Sequence, residues 1–191
     1  MSFLIQPGEP AVLRPRRLFL GQSGLLLSGA AVALLAGRDA LAAKEGAGGN
    51  DVRILNTALS AELEAIAAYQ LGADSGLLQK PVKELALTFQ GQHKEHADTL
   101  AGAIKKLGGT PNKAKEKYDF PTASLKSQAD VLRFAAKLEQ GAVSAYLGAV
   151  PLFQNRDLSH AAASILGDEA MHWAVLRQAL GEAPVPSAFV S

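Results

Sequence analysis

The chain contains no cysteine. That removes thiolate zinc sites, iron–sulfur clusters, disulfides and cysteine nucleophiles from consideration, so any metal must be held by oxygen and nitrogen ligands. Aromatic residues make up only 6% of the 191 residues, and no segment alternates with a strand's period of two over a useful length. Net charge is scarce as well: 19 Lys and Arg stand against 18 Asp and Glu. This balance gives no electrostatic case for nucleic acid as a partner. There is no Ser/His/Asp arrangement, and Gly108-Gly109 follows a helical pattern rather than a strand, so it has no phosphate-loop context.

What is present begins with an export signature. Arg16-Arg17-Leu18-Phe19-Leu20 closely matches the twin-arginine pattern. An apolar run from Leu25 to Leu35 follows, too short to span a bilayer comfortably, and Ala40-Leu41-Ala42 offers a small-x-small cleavage site. We expect residues 1–42 to be a cleaved signal, with an uncleaved membrane anchor as the competing reading. Cleavage would send the protein to the periplasm, or otherwise outside the cytoplasm, with no membrane attachment. It would also remove Arg14, Arg16, Arg17 and Arg38 together with Glu9 and Asp39, leaving 15 basic against 16 acidic residues.

The remainder reads as a linker over 43–50, one all-α domain over 51–181 and a tail over 182–191. Four helical stripes appear at three- and four-residue steps. The first runs from Asn50 or Asp51, either able to cap it, to Leu71, with Gly72 and Ser75-Gly76 ending it. The second runs from Pro81, a residue favoured at the first helical position, to Leu107. The third starts at Ser127 and reaches Leu152, with Pro151 ending or kinking it; the fourth runs from Asp157 or Ser159 to Leu180. Gly108, Gly109, Pro111 and Pro121 forbid a helix between the second and third, and that stretch is long enough to run the length of a bundle. Four long helices in two pairs joined by one crossover predict a four-helix bundle.

The two pairs carry the same half-motif. Glu62 precedes Tyr69 by seven residues, as Glu139 precedes Tyr146; Glu62 to His96 is 34 residues and Glu139 to His172 is 33. His93 in the first half falls where Glu169 stands in the second. Residues three apart on a helix project from nearly the same side, so His93 with His96, and Glu169 with His172, can each reach one centre. Carboxylates and imidazoles on apolar stripes are costly to bury unless a cation takes them, so Glu62, His93, His96, Glu139, Glu169 and His172 are the candidate metal ligands. Their mixed donors suit iron or manganese, and zinc less specifically. Asp168 and Glu95 are each either partners of the ligand imidazoles or exposed, Glu64 should be solvated, and His160 should be exposed. Tyr69 and Tyr146 read as packed side chains whose hydroxyls find a partner, Trp173 as core or interface, and Gln90, Gln92 and Gln140 as ordinary helix residues.

With Glu62, Glu139 and Glu169-Ala170-Met171-His172 in place, residues 51–180 resemble the ferritin-like superfamily, and within it the exported bacterial ferritin-like domain proteins. That family places one Glu on each of two helices and a Glu-x-x-His on each of the other two. The resemblance implies one or two ions of iron or manganese and redox work on oxygen, peroxide or ferrous iron. The chain departs from the family at His93-Lys94-Glu95-His96, where a histidine replaces a glutamate that usually bridges two metals. A neutral imidazole cannot bridge that way. Two divalent ions would then bring four positive charges against three carboxylates and need an added anionic bridge such as hydroxide; a single ion is the alternative. Competing readings are a non-catalytic metal-binding or stress-related bundle, and an interaction module with a relic site. The implied partners are the metal ion and the twin-arginine export machinery; a homodimer is compatible with a bundle of this size, but no residue selects it.

Overall fold

A computed structural model of the chain describes residues 47–190. The twin-arginine pattern, the apolar run and the Ala40-Leu41-Ala42 site lie outside the described residues. Four α-helices make up the described fold: α1 (Ala47–Asp74), α2 (Lys80–Lys106), α3 (Gln128–Ala149) and α4 (Arg156–Ala179). Short 3-10 turns at Thr122–Ser124 and Val150–Leu152 complete it. The described residues contain no strand, and none of their helices is long and apolar enough to cross a membrane.

Local chemistry sets most boundaries. The Ser127 side chain accepts from the Asp130 amide and caps α3, and Asn155 caps α4 by accepting from Asp157. Pro81 sits in the first turn of α2, where its missing N–H costs nothing. Helices α2 and α4 end alike. Gly108 and Gly181 take positive φ, letting Gly109 donate to the Ile104 carbonyl at 2.9 Å and Glu182 to Arg177 at 2.9 Å, the closing pattern of a left-handed cap. Pro151 ends the regular α3 in its 3-10 turn.

The first helix differs from its expected limits. It is already helical at Ala47, inside the segment read as linker, and continues through Gly72 to Asp74. Gly72 is a packing residue rather than a stop, because a Cβ there would stand 3.1 Å from Val131 Cγ1 on α3. Asp51 does not cap α1. Its buried carboxylate accepts from the Gln154 and Asn155 amides, at 3.0 and 3.1 Å, and so ties α1 to the turn before α4.

The topology follows from such ties. Asn50 and Asp51 meet the end of α3 and the turn after it, while the Gln79 amide donates to Gln128 Oε1 at 2.8 Å, setting the starts of α2 and α3 side by side. The connection from 107 to 127 therefore runs the bundle's length. It is strapped to α1 where Asn112 donates to Asn56 and Ser60, and Asn56 to the Thr110 carbonyl.

Two apolar clusters lie on either side of the midplane. One gathers Leu55, Leu59, Leu100, Ile104 and Ile165; the other Tyr69, Phe89, Leu132, Trp173 and Leu176. Trp173 is thus a core residue, with Arg177 over its ring. Ile104 is fully buried. We expect Ile104→Ala to cost about 2–5 kcal/mol, read as a lower denaturant midpoint at unchanged slope.

Candidate metal centre

Between the clusters, the mid-helix polar residues converge. Glu62 on α1, His93 and His96 on α2, Glu139 on α3, and Glu169 and His172 on α4 all point into the bundle. Five of the six are buried, and His96 is 13% exposed. The structure brings all six sequence candidates together. Burial of these groups in a narrow layer follows from their register: each stands within an apolar stripe, so the packing that buries the stripe buries them too.

The six fall into two groups that share His93 and Glu169. In the first, His93 Nδ1 lies 2.8 Å from Glu62 Oε2 and 3.5 Å from Glu169 Oε1, while His96 Nδ1 lies 3.6 and 3.1 Å from the same two oxygens. In the second, Glu139 Oε1 lies 3.3 Å from His93 Nε2 and 3.5 Å from His172 Nδ1, which is 3.6 Å from Glu169 Oε2. A cation with bonds of about 2.1 Å holds tetrahedral ligands about 3.4 Å apart. The nitrogen–oxygen distances in both groups, 2.8–3.6 Å, bracket that spacing.

Several of these atoms also lack any other partner. His96 Nδ1, His172 Nδ1, Glu139 Oε2 and both Glu169 oxygens are buried without a hydrogen bond. Groups 3.1–3.6 Å apart that do not hydrogen-bond are aimed at a shared point rather than at one another. Uncompensated burial of such groups is expensive. The residues therefore fit a bound metal.

The surrounding side chains hold this geometry. Tyr146 Oη donates to Glu62 Oε1 at 2.6 Å, and Tyr69 Oη donates to Glu139 Oε1. Each tyrosine thus serves the glutamate of the opposite half. Side chains on a helix lean toward its N-terminus, so a tyrosine seven residues beyond its own glutamate reaches back across the antiparallel seam to the facing one. Asp168 Oδ2 stands 3.3 Å from Nε2 of both His96 and His172, and His172 Nε2 donates to Gln92 Oε1 at 2.8 Å. Phe89 stacks on the His172 ring at 4.0 Å. The outward nitrogens are thereby occupied, leaving each Nδ1 for the centre. Sequence reasoning passed over Gln92 and left Asp168 level with Glu95; Glu95 is exposed, as is His160. Glu64 is not simply solvated: it is half-buried against an apolar cavity, and burial raises its pKa.

The electrostatics show what the carboxylates demand. Burial by itself would lower the pKa of His93, but hydrogen bonds donated to Glu139 and Glu62 and the carboxylate charges outweigh it and raise it to about 11. His96 and His172 are raised to about 9, again against burial, by Glu169 with Glu62 and by Glu139 with Glu169 respectively. Burial would likewise raise Glu139, yet His172 and His93 bring it below its usual range. Burial first, then the glutamate each faces, pushes Tyr69 and Tyr146 up, so both remain hydrogen-bond donors. The buried carboxylates thus hold protons on the three imidazoles.

Comparison with known proteins agrees with this arrangement. A ferritin-like domain profile matches residues 50–182. Among solved structures, a conserved hypothetical protein of Mycobacterium tuberculosis, rv2844, is similar at 26% identity, with 75% of this chain and 99% of that one covered and a TM-score of 0.65. A ferritin-like, diiron-carboxylate protein from Bacillus anthracis str. Ames shares the fold at 21% identity, covering 71% and 99%, TM-score 0.61. A mycobacterial bacterioferritin does so at 22%, covering 69% and 83%, TM-score 0.59. No protein with a curated function matches the chain. The paired glutamates and histidines, the four helices with one long crossover and the profile match together lead to one conclusion: this chain belongs to the ferritin-like domain family.

Proposed function

We propose that this is an exported ferritin-like metalloprotein whose centre carries out redox chemistry of iron or manganese with oxygen, peroxide or ferrous iron. The observation that carries the reading is the convergence of buried, unpartnered nitrogen and oxygen atoms at ligand spacing in the bundle's middle. The bound metal supplies the electron transfer; the protein holds the ligands and controls access. Export rests on the Arg16-Arg17 pattern and the apolar run behind it.

Two different approaches lead to the centre, and the first of them supports a small neutral reactant. Along the α1–α3 seam, a cavity of about 40 Å³ walled by alanines such as Ala61, Ala142 and Ala145 reaches Glu62, His93 and Glu139. Its apolar wall disfavours hydrated ions but admits a small uncharged molecule. On the other side, the partly exposed Asp168 carboxylate, 21% accessible, offers cations a polar approach between His96 and His172. The Bacillus anthracis relative is described as a diiron-carboxylate protein, which favours iron. One observation favours a non-catalytic metal-binding bundle instead: His93 occupies the place of a glutamate in the repeat.

Elemental analysis of protein purified without chelator or affinity-column metal tests the first step, and oxygen or peroxide consumption by the loaded protein separates the two readings. Iron or manganese with turnover supports redox function; bound metal without turnover leaves a binding protein; no metal removes both. A second prediction concerns Asp168. Asp168→Asn should lower metal affinity by about 10–100-fold, the usual cost of losing an outer partner of metal-bound imidazole, with helicity unchanged. Competition against a chelating dye measures it.

A further inference from the structure

His93 is placed differently from every other ligand. Its ring is almost wholly enclosed and wedged between the Tyr69, His96 and His172 rings, with centroids 5.3, 5.9 and 5.3 Å away. Its Nδ1 faces Glu62, with Glu169 Oε1 beside it, and its Nε2 faces Glu139. Both nitrogens are therefore committed to the cluster, whereas His96 and His172 each turn only Nδ1 inward; their Nε2 atoms face Asp168, and that of His172 donates to Gln92.

We infer that His93 is a bridging ligand, binding one divalent cation through each ring nitrogen, with Glu169 bridging the same pair through its two oxygens. This inference rests on the metal-binding reading above. A neutral imidazole has one lone pair and one N–H. When the second ion binds, the remaining N–H bond breaks, a nitrogen–metal bond forms in its place, and the proton leaves to solvent. The ring becomes an imidazolate anion, and nothing is oxidised or reduced.

This bridge balances the charge without an added hydroxide. Glu62, Glu139 and Glu169 supply three negative charges, and two divalent ions supply four positive ones. The imidazolate supplies the fourth negative charge, so the buried cluster is neutral with His96 and His172 uncharged. A histidine standing in place of a bridging carboxylate thus preserves the charge of the pair while moving the ions apart, because a ring is a longer spacer than a carboxylate or a single oxygen.

Crystals of the protein grown with two equivalents of cobalt(II), measured by anomalous diffraction, test the inference without any substitution. The expected result is two peaks flanking the His93 ring, separated by more than the roughly 3.5–4 Å usual for paired metal ions. A single peak, or two peaks at that shorter spacing on one side of the ring, overturns the bridge while leaving metal binding intact. Absence of any peak, with none of the metal retained in solution, overturns the metal reading itself. As a second measurement, His93→Gln should hold at most one cobalt ion per chain at unchanged helicity, and retention of two ions there counts against the bridge.

Discussion

Glu169→Gln is expected to remove metal from the chain altogether. Glu169 is the one carboxylate common to both ligand groups, fully buried, with each oxygen turned to a different histidine. The substitution keeps the side chain's size but takes one of three negative charges from the candidate centre. Each ion position loses an anionic ligand, so affinity should fall by at least about 100-fold, beyond the roughly 10–100-fold that loss of a supporting outer group costs. Metal content after gel filtration is the measurement. Glu95→Gln, on the exposed neighbour of His96, serves as the control and should retain its metal. A Glu169→Gln protein that keeps the metal content of the unsubstituted chain would mean that ions bind elsewhere.

Removing metal from the unsubstituted protein should cost nearly as much in stability as any substitution. Ligand bound to the folded state alone stabilises it by about 2.7 kcal/mol at a hundredfold excess over Kd. Two ions would give about 5 kcal/mol, or roughly 10–20 °C in Tm for a domain of this size. The loss should depend on pH, and the direction can be derived. In the chelated protein, His96 and His172 titrate near 9 and His93 near 11, against an ordinary 6.5. The folded state therefore keeps protons that the unfolded chain releases. This contribution is fully present below pH 6.5 and is lost as pH rises through the window up to 9 and then 11. Glu139, lowered below its ordinary 4.5, acts oppositely: its contribution is present above that value and is lost as pH falls below it. Metal must displace the imidazole protons, so its affinity rises with pH. The gap in Tm between loaded and chelated protein should thus widen from pH 6.5 to 9. Calorimetry of both forms across that range checks it, and a gap that stays constant or narrows contradicts the assignment of these histidines as ligands.

Much of the bundle was legible in the chain. Apolar residues at three- and four-residue steps mark each helix, because burial of one face imposes the helical period on the sequence. The start at Ser127 and the stop at Gly108 were readable because a single residue's chemistry decides them. Gly72 and Asp51 were misread for the complementary reason. Whether a glycine breaks a helix or admits Val131 against it, and whether an aspartate caps its own helix or the turn before α4, depends on what lies opposite, and local sequence carries no record of that.

The same division holds in the centre. Glu62, His93, His96, Glu139, Glu169 and His172 could be listed from spacing and the internal repeat, since residues on one helical stripe share a depth whatever the partner helix. The sequence by itself thus determined the helices, their pairing into two similar halves and the inventory of candidate ligands. Only the tertiary structure decided which atoms meet: the crossed pairing of Tyr69 with Glu139 and Tyr146 with Glu62, Asp168 rather than Glu95 behind the histidines, and a His93 ring facing both ways. Those contacts join different helices, and they depend on how far each helix is turned about its own axis when the four pack together.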